Sequence, residues 1–148
     1  MISLRSVLTA TLLLAAPSVL AGSDFGTRDE AQRLASALID IVEADGIEAA
    51  VEAMHDKDHP FVTSRMGVNL FQNSTVIADN REPEMVATDY TYMADLAGNL
   101  VWPIINAAAR IEDDAVLKWY HYETQEEYVY DCFSKQSIRD DATVMVCR

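Results

Sequence analysis

A chain of 148 residues with 24 Asp+Glu against 11 Lys+Arg carries a net charge of −13, and such an acidic surface repels phosphate backbones and anionic lipid. Nucleic acid and membrane surfaces are therefore poor partners. The length suits one compact domain, and the two cysteines, Cys132 and Cys147, form no CxxC motif that would suggest thiol redox catalysis.

The first residues read as an export signal. Arg5 gives a positive start, Val7 to Ala16 is an apolar run, and Val19-Leu20-Ala21 places small residues before Gly22. Cleavage is expected after Ala21, giving residues 1–21 as signal peptide and 22–148 as a single domain. The apolar run is shorter than the roughly 20 residues that span a bilayer. No later segment reaches that length, so the expectation is a soluble periplasmic or secreted protein, without membrane insertion after cleavage. Removing Arg5 changes the charge from −13 to −14. In an oxidising compartment Cys132 and Cys147 are expected to form one disulfide.

Thr27-Arg28-Asp29-Glu30 has the form of a capping box. Ala31, Leu34, Ala35, Leu38, Ile41 and Val42 follow at helical spacing, and Asp45-Gly46 predicts a left-handed stop. Ile47, Ala50, Val51 and Met54 predict a second short helix, ended by His59-Pro60. Met66, Val68 and Leu70 then alternate with Gly67 and Asn69 as a half-buried strand. Gln72-Asn73-Ser74 turns the chain into a returning strand from Thr75 to Ala78. Asn80 to Tyr92 reads as loop with a helical turn, and Asp95 to Asn99 as a further turn. Pro103 suits the start of a helix through Arg110. Three strands, about 116–122, 127–134 and 142–147, complete one α+β domain.

The last strands can be registered on paper. A turn centred on Gln125 pairs Tyr122 with Tyr128 and Tyr120 with Tyr130; a turn between Arg139 and Asp140 pairs Cys132 with Cys147. Because side chains alternate along a strand, the four tyrosines then share one face with the cysteines. Leu117, Trp119, Val129, Phe133, Val144 and Val146 form the other face. That face is apolar enough to receive the N-terminal helix, with Trp119 expected beside Leu34, Leu38 or Val42.

Several quoted stretches are familiar in order and spacing. "AQRLASALIDIVEADGIEAAVEAMHDKDHPFV" has a leading helix, a glycine break, an Ala-rich helix and a Pro-Phe approach to a sheet. "STVIADNREPEMVATDY", "MADLAGNLVWPIINAAA" and "LKWYHYETQEEYVY" resemble a strand, an Asp-x-x-Gly turn with its helix, and an aromatic Trp-x-x-Tyr-x-Trp strand with a Tyr-Val return. In these features the chain resembles the single Cache domain, the extracytoplasmic PAS-like sensor module of bacterial receptors, here in a free-standing secreted form. The resemblance implies an α+β fold, an antiparallel sheet with a long N-terminal helix packed on one face. It also implies a pocket above the sheet for small organic acids, amino acids or amines. Tyr120, Tyr122 and Tyr130 would line that pocket, Trp102 would close it, and Arg65 and Arg110 are the cations placed to reach it.

The chain departs from the family pattern. Asp79-Asn80 stands where His-Pro is frequent, Ala87 near a glycine, Leu117 for a tryptophan, and Glu126-Glu127 near a lysine. Acidic groups at Asp79 and Glu127 favour an amine or zwitterion over a simple carboxylate. Other readings stay open. The tyrosines can be cross-strand packing, Trp102 can be core, and Arg65 and Arg110 can pair with Asp113 or Asp114. His55 and His59 share a helical face but lack a third metal ligand, and Asp79, Asp89 and Asp95 do not have calcium-loop spacing. GxSxG, HExxH and phosphate-loop motifs are missing from the sequence. The expectation is an exported, non-enzymatic sensor domain without cofactor, binding a small polar metabolite and engaging a membrane receptor or sensor protein. A protein-binding module is the alternative, and a small hydrolase the weakest reading.

Overall fold

The computed structural model describes residues 25–148, so the signal-peptide reading lies outside the described residues. The N-terminal helix α1 (Arg28–Asp45) starts as its capping box predicts. The Thr27 hydroxyl accepts from the Glu30 N–H, and the Glu30 carboxylate accepts from the Thr27 N–H. It ends at Gly46, whose φ of 97° suits a residue without Cβ and whose N–H donates to the Val42 carbonyl. The Arg139 guanidinium donates to the carbonyls of Glu43 and Ala44, satisfying groups that the helix end leaves open. Helices α2 (Ile47–His55) and α3 (Pro60–Thr63) lead to the sheet, and His59 caps α3 through Nδ1.

Five antiparallel strands form one sheet: β1 (Gly67–Gln72), β2 (Thr75–Asp79), β3 (Asp114–Tyr120), β4 (Glu127–Gln136) and β5 (Ala142–Cys147), in the order β2-β1-β5-β4-β3. Between β2 and β3 runs a long connection carrying a short 3-10 turn and helix α4 (Val101–Ile111). Helix α4 begins at Val101, two residues before the proline that was expected to start it. Its Pro103 still falls in the first turn, where a missing N–H costs nothing.

The sheet is covered on both faces. Helix α1 lies against β4 and β5, burying Ala31, Ala35, Leu38, Ile39 and Val42, with the Arg28 guanidinium 5.3 Å from the centre of the Phe133 ring. Val144 and Val146 alternate onto the same face as Phe133. On the opposite face Phe71 meets Tyr90 at 5.1 Å and Trp102 at 5.4 Å, bringing the long connection and α4 onto the sheet. Among the described residues no helix is long and apolar enough to cross a membrane.

The cysteine register is as expected: Cys132 stands opposite Cys147, and the two are joined in a disulfide. The tyrosine register is not. Tyr130 pairs with Leu117 rather than Tyr120, Tyr128 pairs with Trp119, and Tyr120 pairs with Glu127. The offset is three residues, an odd number, so β3 turns the opposite face to the one expected. The cause is the loop. Residues 121–126 close on themselves through His121 N–H to Glu126 O and Gln125 N–H to His121 O, with Gln125 at a φ of 61°. His121 Nδ1 also accepts from the N–H groups of Glu123 and Thr124. The strand therefore ends at Tyr120, two residues early, and Leu117 and Trp119 join Tyr130 and Cys132 on the face away from α1.

Candidate functional site

A hollow opens on the sheet face opposite α1. Its floor is Leu117 and Trp119 of β3, Tyr130 and Cys132 of β4, and Met145 and Cys147 of β5. Its walls are Glu82, Tyr90 and Met93 of the long connection, Val101 at the start of α4, and Tyr122 just beyond β3. Its free volume, counted as the space open to the centre of a water molecule, is about 40 Å³. One water needs roughly 10–15 Å³ by that measure. The hollow is thus sized for a ligand of a few heavy atoms.

Local chemistry carries each wall into place. Asn80 staples the end of β2: its Oδ1 accepts from the Val68 N–H, and its Nδ2 donates to the carbonyls of Phe61 and Met66. The neighbouring Asp79 carboxylate accepts from Arg81 N–H, Glu82 N–H and Asn69 Nδ2, folding the chain so that Glu82 enters the hollow. Asp95 accepts from the N–H groups of Ala97, Asn99 and Lys118, tying the turn before α4 to β3. Gly67 leaves the room that Tyr122 occupies, because a Cβ there would collide with the phenol. Tyr122 then stacks obliquely on Tyr130 at 4.8 Å, with Phe25 5.7 Å away.

The electrostatics are acidic. Burial, followed by the charges of Asp79 and Glu84, pushes the Glu82 carboxyl from its ordinary 4.5 up to about 7, against a hydrogen bond from the Trp119 side chain. Burial also raises Asp79, despite the hydrogen bonds it accepts. Burial raises the phenols of Tyr90 and Tyr122, and pushes Tyr130 up to about 12, so all three are neutral at ordinary pH. The Tyr130 hydroxyl is already committed: it accepts from the Tyr122 N–H at 3.0 Å and donates to the Tyr120 carbonyl at 3.3 Å.

No protein-family model and no curated protein sequence matches the chain. Solved structures do. A methyl-accepting chemotaxis protein from Vibrio parahaemolyticus superposes with a TM-score of 0.61 at 11% identity, over 81% of this chain and 83% of that one. A periplasmic sensor domain of a chemotaxis protein gives 0.58 at 15% identity, over 81% and 88%. A Cache chemosensory domain, described for its recognition of carboxylic acid, gives 0.59 at 12% identity, over 81% and 86%. This chain has the Cache fold.

Within this Cache fold the residues expected at the site are partly gathered and partly dispersed. Tyr122 and Tyr130 line the hollow, the Tyr130 hydroxyl being bonded to backbone. Asp79 stands behind Glu82 as the carboxylate that shapes the turn. Tyr120 is 45% exposed on the outer face, because the odd register offset turns it away. Trp102 packs on Phe71 and borders a separate shallow hollow with Asn73 and Asn106. Arg65 is exposed and pairs with Glu123 at 3.3 Å, and Arg110 is exposed on the last turn of α4. Neither pairs with Asp113 or Asp114. Those acids are taken by Arg28, and Asp114 also by a bidentate Arg148, which ties the start of α1 to β3 and the C-terminus. Glu127 is likewise remote, held by Lys118 at 2.6 Å.

Glu82, Tyr90 and Trp119 were missed. Trp119 and Tyr122 carry a Trp-x-x-Tyr spacing, and both line the hollow, so the motif itself was the available signal. Placing Leu117 at the tryptophan position concealed it. Trp119 is half-buried here and does not meet α1 as expected.

Glu82 and Asp79 give the protein a pH dependence of definite sign. A carboxyl raised above its unfolded value binds protons more tightly in the folded state. Its contribution is full below about pH 4.5 and is lost as pH rises through about 7. Asp89, Asp95 and Asp114 are shifted downward and titrate below this window. Glu82→Gln is therefore expected to raise the melting temperature at pH about 8 and to flatten its fall between pH about 5 and 8. A variant with an unchanged pH profile would show that Glu82 is solvated like a surface carboxylate.

Proposed function

We propose that this protein is an exported, non-enzymatic sensor-type Cache domain that binds a small polar metabolite in the hollow between the sheet and the long connection. The observation that carries this reading is the hollow itself. It combines an apolar and aromatic lining with one poorly solvated carboxylate, on the sheet face opposite α1. Likeness of fold to chemoreceptor sensor domains supports a sensing rather than a catalytic role, with occupancy read by a membrane receptor or sensor protein.

The test is a thermal-shift screen of amino acids, amines and organic acids, followed by titration of any hit against two variants. Trp119→Ala removes a floor residue and is expected to weaken binding at least about tenfold. Tyr120→Phe lies outside the hollow and is expected to leave binding unchanged. An empty screen, or a hit equally indifferent to both changes, removes the hollow as the ligand site. Tyr130→Phe is expected to act mainly on stability, by about 1–3 kcal/mol, because it strands the Tyr122 N–H that the hydroxyl now satisfies.

The protein-binding alternative has one observation in its favour. Val116, Val129 and Tyr120 stand exposed on the outer face of β3 and β4, beyond the cover of α1. An empty ligand screen together with substitutions there that abolish partner capture would favour it.

A further inference from the structure

We infer that the hollow is built for a small organic cation, an ammonium group carrying methyl substituents, held between the Glu82 carboxylate and the faces of Tyr90, Trp119, Tyr122 and Tyr130. This rests on the hollow being the ligand site and names the class of ligand that its chemistry selects.

Charge decides the sign. Among the described residues, and apart from its tyrosines, Glu82 is the one titratable side chain that lines the hollow, and neither Lys nor Arg contributes to its walls. The arginines of this end of the molecule are occupied elsewhere. Arg65 pairs with Glu123, and Arg81 donates through Nε and Nη2 to the Arg65 carbonyl. Glu82 faces Asp79 and Glu84 of its own segment, and Tyr90, Tyr122 and Tyr130 from the surrounding elements interact with it as neutral phenols. A bound carboxylate would add a negative charge to this acidic wall, and Arg81, whose charge reaches Tyr130, is directed to the Arg65 carbonyl instead. A bound cation reverses the balance, and would hold Glu82 ionised.

The remaining walls decide the shape. Aromatic faces carry partial negative charge and attract a cation placed over them, most strongly when it is desolvated. A bare ammonium needs several acceptors. Here the Tyr130 hydroxyl is spent on backbone, and Met93, Met145 and the disulfide offer only soft, weakly polar surface. Methyl groups bury against such surface at a gain, while the positive charge remains for Glu82 and the rings. The small free volume fits a ligand of a few heavy atoms and not a drug-sized molecule.

Calorimetric titration of the purified protein at pH about 8, with tetramethylammonium, trimethylammonium, acetate and propionate, tests this. The two methylated cations are expected to bind and the two carboxylates not to. Glu82→Gln is expected to weaken cation binding by at least about tenfold, as is Trp119→Leu, with Glu82→Gln melting no lower than the parent as proof of folding. Binding of acetate or propionate without the cations overturns the inference and leaves the hollow as the ligand site. Binding of none of the four and of nothing in the broader screen removes both. Cation binding undiminished in Glu82→Gln also overturns it.

Discussion

Phe133→Ala is expected to lower the unfolding free energy by about 3–5 kcal/mol, the range for removing a fully buried aromatic ring. Phe133 has no solvent exposure, stands opposite Val146 in the sheet, and meets α1 through the Arg28 guanidinium. Its loss leaves a void in the α1–sheet interface, beneath the start of α1, where surrounding strands cannot collapse without breaking register. Urea unfolding checks this, with an unchanged slope showing that the folded state is intact. A cost below about 1 kcal/mol would mean that α1 packs on some other surface. Trp119→Ala should be the milder change, because Trp119 is half-buried and borders a hollow. Its cost belongs to ligand binding.

The second large effect is covalent. Cys132, in the middle of β4, and Cys147, at the end of β5, are both buried and are separated by 15 residues. In the chain-entropy account a loop of about 15 residues is worth roughly 3 kcal/mol through the unfolded state. The double variant Cys132→Ala, Cys147→Ala is expected to lose about that much, and the reduced parent protein to match it. Thiol titration of the denatured, unreduced protein should find no free thiol; two free thiols would remove the cross-link and this prediction with it. Because both cysteines also line the hollow, the same variant should alter ligand affinity, which Phe133→Ala should not.

The candidate site was less legible than the frame around it. Tyr122 and Tyr130 were recognisable because aromatic residues at alternate positions mark a strand pair with an aromatic wall. Glu82 was not. A single acid between Arg81 and Pro83 looks like solvated loop, and only the Asp79 and Asn80 hydrogen bonds, which span β1 and β2, turn it inward. The arginines failed for a related reason. Arg65 and Arg110 were matched with Asp113 and Asp114 by supposed proximity, whereas Arg28 and Arg148, far away in sequence, are brought to those acids by the packing of α1 and the end of β5.

What the sequence by itself determined is whatever depends on neighbours along the chain. The capping box at Thr27 and Glu30, the helical recurrence from Ala31 to Val42 and the end of the helix at Gly46 are local and survive in the structure, whereas β1, expected to be half-buried, is buried from Gly67 to Phe71 because the sheet is covered on both faces. The Cys132–Cys147 pairing also follows from local strand lengths and one tight connection. The tertiary structure alone decided which face of β3 looks into the hollow. The tyrosines alternate equally well in either register, so their pattern cannot choose between them. The choice is made by the hydrogen-bonded loop at 121–126, by Gly67 leaving space for Tyr122, and by burial of Leu117 against the connection before α4. Because a strand has a period of two, that odd offset sends Trp119 to the pocket and Tyr120 to solvent.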